Sequence, residues 1–484
     1  MTPMPLSRIA QWTGGRMLGG EGHGVDFDVL IDAVATDTRT LDASDGCAAL
    51  FVALGGEHFD GHDHVAAAAE AGARAALVSR HIDIALPQVV VADTQRALGA
   101  FAAALQRTRD TKVIAITGSN GKTSVKAMLL PILQRMCMGS GQAAYANPGN
   151  RNNEIGLPLA VLDAPEDAKF AIYEMGAGKR GDIAYLTGIA RPDAALVNNI
   201  APAHLERMDN LLGVADTKAA IYDALPPGGV AVINADDAFA PYFAERAHGR
   251  RLIRFGLEAS ADVSARDIVI DGGGASFVIT CALGETGIRI ALPGRHNVRN
   301  ALAAASLALG LGASLEEIRD GLVDARPVAG RLVRHHLDNG AVLLDDSYNA
   351  NPGSLNAAIE LLATEAGSWL VLGDMRELGA DARALHAEAG RRAKAAGINR
   401  LYTLGPLSVA ASEAFGEGAR HFETHEALAQ ALHADLAGTR LARDLGSDES
   451  GARRALTVLV KGSRGSAMDR IVRAILEQEA GDVA

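Results

Sequence analysis

A glycine-rich turn between a β-branched run and an amphipathic segment is the feature that most constrains the fold of this 484-residue chain. Residues 112–116 read Lys-Val-Ile-Ala-Ile, which is typical of a strand buried in a parallel sheet. The turn covers residues 117–124, and a helix is predicted over residues 125–134. This order directs backbone N–H groups and the positive end of a helix toward one point. The sequence therefore predicts a phosphate-binding loop at the edge of a parallel sheet.

The side chains of this turn suit the phosphates of a nucleoside triphosphate. Lys122 can reach the β- and γ-phosphates, and the hydroxyl of Thr123 can ligate Mg²⁺. The usual pattern G-x-x-x-x-G-K-[ST] has a glycine where this chain has Ile116, so the loop is a shortened variant. Nucleotide binding is predicted, while a motor, a GTPase and a ligase all remain open. The residues expected to contact the nucleotide are Gly118, Ser119, Asn120, Gly121, Lys122, Thr123 and Ser124.

Charge and composition exclude several classes of protein. The chain has 46 Lys and Arg against 58 Asp and Glu, a net charge of -12, so its general field does not favour nucleic acid. Its three cysteines are far apart and in no metal-ligand spacing, which is typical of a reducing compartment. The first residues show no basic segment followed by an apolar run, so no secretory signal is expected. The longest apolar run, residues 301–311, is shorter than a membrane span of ~20 residues. We expect a cytoplasmic protein without a membrane span.

The order of strand-like and helical segments predicts an α/β fold of three domains. A smaller N-terminal α/β domain is assigned to residues 1–108. A central P-loop domain with a parallel sheet follows over residues 109–326, and its period-two alternation at 262–292 predicts an added antiparallel β meander. A linker at 326–330 leads to a C-terminal, Rossmann-like α/β domain at 327–484.

Several local elements are predicted within these domains. An alanine-rich helix is expected at residues 66–76, and a solvated loop is expected at residues 444–451. The other strands predicted in the three domains lie near residues 75–78, 171–173, 194–197, 230–233, 341–344, 369–372, 401–404 and 456–460.

Further motifs are spread over most of the chain. They are NRNNEIGLP at 150–158, EMGA at 174–177, NIAPAHLE at 199–206, GRHNVRNA at 294–301, GR at 330–331, DDSYNANP at 345–352, LGDMRELG at 372–379 and KGSR at 461–464. Together with the shortened loop they resemble the Mur ligase family, which includes folylpolyglutamate synthase. The resemblance implies an ATP-dependent amide ligase that joins D-alanyl-D-alanine to UDP-N-acetylmuramoyl-tripeptide through an acyl phosphate, in peptidoglycan precursor synthesis.

Other functions stay open beside this one. A relative that adds a single amino acid, or a ligase like folylpolyglutamate synthase, would keep the chemistry and change the substrate. A nucleotide-regulated scaffold that binds ATP without ligation belongs to a different class. The resemblance further implies that the protein uses ATP and Mg²⁺ and acts as a monomer.

The resemblance implies a set of residues at the reaction centre. Lys122 would act on the phosphates, and Glu174, which ends a strand-like run, would ligate Mg²⁺ together with Thr123. His204 matches a histidine that ligates a second Mg²⁺. Lys218 matches a lysine that reacts with CO₂, and its carbamate would be an oxygen ligand of that second ion. Such a lysine needs a buried environment, because its usual pKa of ~10.4 keeps it protonated near pH 7.

The resemblance also assigns the remaining contacts. Asn297 and Asn300 lie three residues apart and share a helix face, where Asn297 would contact adenine; a helix N-cap is the alternative for either. Arg331 and Asp346 of the third domain would complete the ATP site when that domain closes on the second. The residues expected to bind substrate are Asp37, Thr38 and Arg39 for the UDP-sugar, Asn150, Asn152 and Asn153 for the peptide arm, and Lys461, Ser463 and Arg464 for the dipeptide.

Overall fold

The computed structural model describes residues 1–18, 27–42, 46–56, 59–202, 205–208, 210–365, 367–438 and 456–482. Within these residues the chain forms large sheets of five, six and six strands, packed with helices, and a three-stranded antiparallel sheet. Most neighbouring strands of the large sheets run parallel. The predicted α/β class is therefore confirmed, while the loop predicted at residues 444–451 lies outside the described residues.

The first part of the chain builds the five-stranded sheet. Its elements are β1 (Met4–Pro5), α1 (Leu6–Thr13), β2 (Arg16–Leu18), β3 (Leu30–Ile31), β4 (Ala33–Ala35), β5 (Ala49–Val52), β6 (Gly55–Gly56), β7 (Phe59–Asp60), α2 (Val65–Glu70), β8 (Ala75–Val78), β9 (Gln88–Val90) and α3 (Thr94–Gln106). The strand order is β2-β9-β8-β5-β4, in which only β2 runs antiparallel to its neighbour. The helix predicted at residues 66–76 is wrong in length: α2 ends at Glu70, because the chain turns there before it enters β8.

The middle of the chain builds the central sheet and the meander. Its elements are β10 (Lys112–Thr117), α4 (Lys122–Cys137), β11 (Ala143–Ala146), α5 (Gly156–Asp163), β12 (Ala168–Glu174), α6 (Asp182–Ala190), β13 (Ala194–Val197), α7 (Leu205–Met208), α8 (Leu211–Asp223), β14 (Val230–Asn234), α9 (Ala240–Arg246), β15 (Arg251–Phe255), β16 (Ser264–Asp271), β17 (Gly274–Cys281), β18 (Gly284–Ile290), α10 (Arg295–Gly310) and α11 (Leu315–Asp324). The six parallel strands lie in the order β11-β12-β10-β13-β14-β15. The predicted strands correspond to β10, β12, β13 and β14, and the predicted antiparallel meander corresponds to β16–β18.

The last part of the chain builds the third sheet. Its elements are β19 (Val333–His336), β20 (Val342–Asp346), α12 (Pro352–Leu362), β21 (Gly367–Gly373), α13 (Ala382–Ala395), β22 (Arg400–Leu404), α14 (Val409–Phe415), β23 (Ala419–Phe422), α15 (His425–Gly438), β24 (Leu456–Lys461) and α16 (Asp469–Asp482). The strand order is β19-β20-β24-β21-β22-β23, in which only β19 is antiparallel. The predicted strands correspond to β20, β21, β22 and β24.

One apolar core joins the five-stranded sheet to one face of the central sheet. Helix α3 packs against α5 and α6, and its Leu98 and Phe101 are fully buried. The core therefore runs across the boundary predicted at residue 108, and that boundary remains a prediction, like the one at residue 326.

The other face of the central sheet packs against α4, α10 and the meander. Helix α10 contains the longest apolar run of the sequence, and residues 301–308 of that run are buried in this core. Among the described residues, no helix has both the length and the apolar character needed to cross a lipid bilayer.

Helix α4 carries the phosphate loop at its start, and its packing against α11 requires a glycine. A Cβ on Gly321 of α11 would lie 2.5 Å from the Ile132 Cα of α4. We expect Gly321→Ala to lower the free energy of unfolding by ~1–3 kcal/mol, because a methyl group forces these helices apart. The matched control is Gly188→Ala in α6, where a Cβ meets open space and helix propensity adds up to ~1 kcal/mol. Thermal and urea unfolding measure both variants, and equal shifts would contradict the packing argument.

Candidate active site

A cavity of about 750 Å³ lies between the carboxyl ends of the central strands and the third sheet. It is lined by the turn after β10, the segments that follow β12 and β13, the start of α10, and residues at the ends of β20 and β24. The predicted ATP-binding and catalytic residues that line it are Gly118, Ser119, Asn120, Gly121, Lys122, Ser124, Glu174, Lys218, Asn297, Asn300, Arg331 and Asp346. The predicted substrate residues that line it are Asn152, Asn153 and Lys461.

The turn between β10 and α4 is held by the segment that follows β13. The backbone N–H of Ser119 donates to the carbonyl of Asn199, and that of Asn120 donates to Asn199 Oδ1, both over 2.9 Å. Gly121 has a φ of +79°, and a Cβ there would lie 2.4 Å from Asn198 Nδ2. Only glycine fits this position, because both the conformation and the close approach exclude a side chain.

Lys122 is the first residue of α4 and lies at the positive end of this helix. Its Nζ donates to the carbonyl of Gly118 over 2.7 Å, so the ammonium group lies within the curve of the loop. Burial lowers the pKa of Lys122, while the carboxylate of Glu174 opposes that shift. The loop therefore combines inward glycines, a helix N-terminus and a lysine, which together make an anion site.

The carboxylate of Glu174, at the end of β12, is buried beside this loop. Glu174 Oε2 accepts a hydrogen bond from Thr123 Oγ1, and Oε1 accepts one from Asn152 Nδ2, each over 2.8 Å. Burial raises the pKa of Glu174, but the ammonium groups of Lys122 and Lys126 outweigh that effect and hold the pKa below its ordinary value. Glu174 is thus ionised at neutral pH and bonded to two different segments of the chain.

Lys126 is a buried lysine to which no motif in the sequence points. Its Nζ donates to the carbonyls of Asn147 over 2.8 Å and Gly149 over 3.1 Å, and lies 3.5 Å from Glu174 Oε2. It therefore ties the segment after β11 to the loop helix. Sequence spacing offered one signal, because Lys126 lies four residues after Lys122 and so on the same helix face.

The oxygen atoms of Thr123 and Glu174 suit Mg²⁺, which prefers hard oxygen ligands. In the part of the chain that the structure describes, no group of three or more His, Cys, Asp or Glu is placed to hold a metal ion. A Mg²⁺ ion at these two residues would therefore complete its shell with phosphate and water oxygens, as is usual in nucleotide sites. His204, the predicted ligand of a second ion, lies outside the described residues.

Two side-chain contacts join the third sheet to the phosphate loop. Arg331 Nη2 donates to Thr123 Oγ1 over 2.9 Å. Asn351, the N-cap residue of α12, donates from Nδ2 to Asn120 Oδ1 over 2.7 Å. The guanidinium of Arg331 therefore lies beside the residues expected to surround the phosphates.

Asp346 and Lys461 form an ion pair at the ends of β20 and β24, in which Lys461 is buried and Asp346 is partly buried. Lys461 Nζ lies 2.5 Å from Asp346 Oδ2 and also donates to the carbonyl of Asn349 over 3.0 Å. Both residues line the cavity, but the ammonium group of Lys461 is engaged within the third sheet. Ser463 donates from Oγ to a backbone carbonyl and is buried, whereas the side chain of Arg464 is exposed.

Asn297 and Asn300 are buried on one face of α10, next to the phosphate loop. Asn297 Nδ2 donates to the carbonyl of Pro293 over 2.8 Å, and Asn300 Oδ1 accepts from Asn198 Nδ2 over 3.0 Å. The N-cap residue of α10 is Gly294, so the alternative prediction of an N-cap role is wrong for both asparagines.

Lys218 and His296 are further titratable groups in the cavity lining. The Lys218 side chain is 2% exposed, and burial, aided by the charge of Lys122, lowers its pKa to about 7. No hydrogen bond or ion pair of Lys218 Nζ occurs among the described residues. Burial and the charge of Lys461 lower the pKa of His296 to about 4, so its imidazole is neutral at neutral pH.

A second cavity of about 260 Å³ lies between the five-stranded sheet and α5. Asp37 lines it and pairs with the exposed Arg39, at 2.6 Å between carboxylate and guanidinium. Thr38 belongs to the short 3-10 turn that Asp37 caps. Of the predicted site residues that the structure describes, those outside the lining of both cavities are Thr38, Arg39, Thr123, Asn150, Ser463 and Arg464.

The burial of Lys126 predicts that this side chain contributes strongly to the free energy of unfolding. We expect Lys126→Met to lower the free energy of unfolding by ~3 kcal/mol, because it removes a cation beside a buried carboxylate and the donor to two backbone carbonyls. The control is Lys112→Met, which removes a lysine from an exposed pair with Asp193 at 3.0 Å and costs at most ~1 kcal/mol. Urea unfolding of both variants measures the difference. A loss no larger for Lys126→Met than for the control would contradict this role.

Comparisons with known proteins agree with this geometry. The family model of the Mur ligase middle domain matches residues 116–308, and that of the Mur ligase, glutamate ligase domain matches residues 330–464. The chain is 43% identical over 463 residues to the UDP-N-acetylmuramoyl-tripeptide--D-alanyl-D-alanine ligase of Escherichia coli, covering 95% of this chain and 97% of that protein. Crystal structure I of MurF from Acinetobacter baumannii matches with a TM-score of 0.88 and 32% identity, covering 99% of both chains. The chain belongs to the Mur ligase family.

Proposed function

We propose that this protein is an ATP-dependent ligase that joins D-alanyl-D-alanine to UDP-N-acetylmuramoyl-tripeptide in peptidoglycan precursor synthesis. The observation that carries the proposal is the 43% identity over 463 residues to the Escherichia coli enzyme of that name. The Haemophilus influenzae enzyme with the same name supports it, at 35% identity over 99% of both chains. We also propose that the protein acts in the cytoplasm as a monomer.

The reaction needs an activated carboxyl group, because a carboxylate does not react with an amine at neutral pH. A carboxylate oxygen of the tripeptide attacks the γ-phosphorus of ATP, and ADP leaves. The amine of the dipeptide then attacks the acyl carbon, loses a proton and releases inorganic phosphate. Both steps concentrate negative charge on phosphoryl oxygens, so fixed positive groups must surround them.

The cavity has such groups although the chain carries a net charge of -12. In this proposal, Lys122 and Arg331 neutralise the transferring phosphoryl group from the central and third sheets, and the backbone of Gly118–Ser124 binds the other phosphates. Mg²⁺, when bound at Thr123 and Glu174, supplies a further positive charge beside the phosphates. The contacts of Arg331 and Asn351 with the loop support a closed cavity, which keeps water away from a reactive acyl phosphate.

Asn297 and Asn300 are the proposed neighbours of adenine, since both are buried beside the phosphate loop. Asp346 belongs to the same proposed site. Its ion pair with Lys461 holds the end of β20 in position beside the proposed nucleotide. Because Lys461 is engaged in this pair, Arg464 is the better candidate for the carboxylate of the dipeptide. Ser463 would then position the backbone that carries Arg464.

The tripeptide substrate would span both cavities. We assign its UDP-sugar to the second cavity, beside Asp37, Thr38 and Arg39. Asn152 and Asn153 line the main cavity and would hold the peptide arm near the phosphates, with Asn150 at the outer end of the same loop. In this assignment residues 1–108 bind the UDP-sugar, residues 109–326 bind ATP, and residues 327–484 bind the dipeptide.

Substrate choice tests the proposal directly. With ATP, Mg²⁺ and UDP-N-acetylmuramoyl-tripeptide, we expect phosphate release to depend on D-alanyl-D-alanine and to be negligible with single amino acids. A tripeptide labelled with ¹⁸O in its terminal carboxyl group should transfer one ¹⁸O atom to the released phosphate, because that oxygen bridges acyl and phosphoryl groups. Release with a single amino acid alone would refute the substrate assignment, and unlabelled phosphate would refute the acyl phosphate.

Lys218 is proposed to act as a carbamate formed with CO₂. Its burial, its lowered pKa and the lack of a hydrogen-bond or ion-pair partner among the described residues support this chemistry, since a neutral amine is required. With His204, the carbamate oxygens would bind a second Mg²⁺ ion.

We expect Lys218→Ala to lower kcat by ~10²-fold or more, because a fixed charge-stabilising group is lost. A short carboxylic acid such as acetate should restore part of the activity by replacing the carbamate oxygens. Lys218→Arg is the matched control: it keeps the positive charge, forms no carbamate and should be inactive with or without acetate. Full activity of Lys218→Ala without rescue would mean that no carbamate is needed.

A further inference from the structure

The ring of Tyr348 lies within cation–π distance of two guanidinium groups in the third part of the chain. The Cζ of Arg331 is 4.4 Å from the ring centroid, and the Cζ of Arg464 is 5.6 Å from it. Both distances fall within the ~6 Å over which a cation is attracted to an aromatic face. One side chain therefore contacts two cations that come from distant positions in the sequence.

Few polar contacts fix the guanidinium of Arg331. Its Nη2 donates to Thr123 Oγ1, but its Nε is buried and has no hydrogen-bond partner within the described ranges. A guanidinium held by one hydrogen bond can rotate about that bond. The face of Tyr348 removes this freedom, since a planar cation stacked on a ring keeps its plane.

The backbone around Tyr348 is itself fixed. The N–H of Tyr348 donates to the carbonyl of Gly330 over 3.1 Å. Gly330 has a φ of +71°, and a Cβ there would lie 3.0 Å from the Tyr348 Cβ, so glycine allows the residue before Arg331 to lie against the backbone and Cβ of Tyr348. The neighbouring Asp346 is held by its ion pair with Lys461. The backbone that carries the ring is thus held in place beside Arg331.

We propose that Tyr348 is a positioning residue that orients Arg331 toward the phosphates and Arg464 toward the carboxylate of the incoming dipeptide. This inference rests on the proposed function and deepens it. The π face also reduces the repulsion between the two guanidinium groups, because each faces negative ring density. Tyr348 orients the two guanidinium groups through its ring alone, since no hydrogen bond of its hydroxyl occurs among the described residues.

The test compares Tyr348→Leu, which removes the ring, with Tyr348→Phe, which keeps it. We expect Tyr348→Leu to lower kcat ~10-fold and to raise KM for D-alanyl-D-alanine ~3-fold or more, the scale of losing one partly buried and one exposed cation–π contact. KM for UDP-N-acetylmuramoyl-tripeptide should change less than twofold, because its UDP-sugar is assigned to the other cavity. Tyr348→Phe should keep at least half of kcat. Tyr348→Met is measured as well, so that poor folding of one variant does not decide the result.

Two controls separate positioning from general stability. Phe422→Leu removes a cation–π contact of 5.2 Å with Arg420, on a strand remote from the cavity, and should leave all kinetic constants unchanged. In an Arg331→Lys background, Tyr348→Leu should lower kcat less than twofold further, because the partner it orients is already lost.

The outcomes distinguish this inference from the function on which it rests. Absence of dipeptide-dependent phosphate release by the unaltered enzyme would refute the proposed function. If that enzyme is active, three results would overturn the positioning role alone: wild-type constants in Tyr348→Leu and Tyr348→Met, an equal loss in Tyr348→Phe, or full additivity with Arg331→Lys.

Discussion

The buried carboxylate of Glu174 is the interaction on which the arrangement of the site depends. It accepts hydrogen bonds from Thr123 on the loop helix and from Asn152 on the segment after β11, and Lys126 lies 3.5 Å away. An ionised carboxylate at this depth is unfavourable unless cations and donors surround it. Because those partners come from separate segments, the charge of one side chain holds the phosphate loop, the end of β12 and the segment after β11 in a single arrangement.

The third sheet adds positive charge to this arrangement from the opposite side. Arg331 reaches Thr123, and Asn351 reaches Asn120, so the cavity is completed by residues more than 200 positions away in the sequence. The chain as a whole is acidic, and its field would repel a nucleotide. Binding therefore depends on local placement of a few cations in a partly closed space, where water screens their charges less.

The sequence predicts the buried strands and the phosphate loop because continuous β-branched runs and a Gly-Lys-Thr turn depend only on residues that are close in sequence. It misses β11, β15, β19 and β23, which are the edge strands of the two six-stranded sheets. An edge strand has one hydrogen-bonded neighbour and more exposed residues, so its pattern resembles a loop. The partners of Lys126 and Tyr348 could not be predicted for another reason: each contact depends on how distant segments pack, and no residue spacing encodes that packing.

The continuous core beneath α3 has a consequence for how substrates are selected. Since the five-stranded and central sheets share buried side chains, close packing sets the separation of their two cavities. A molecule bound at both places must bridge that separation. Under the proposed function, a nucleotide-linked peptide one residue too short would leave its carboxyl group out of reach of the γ-phosphate, whatever its side chains. The separation of the two cavities would then select substrates by the length of their peptide, before any side chain of that peptide is recognised.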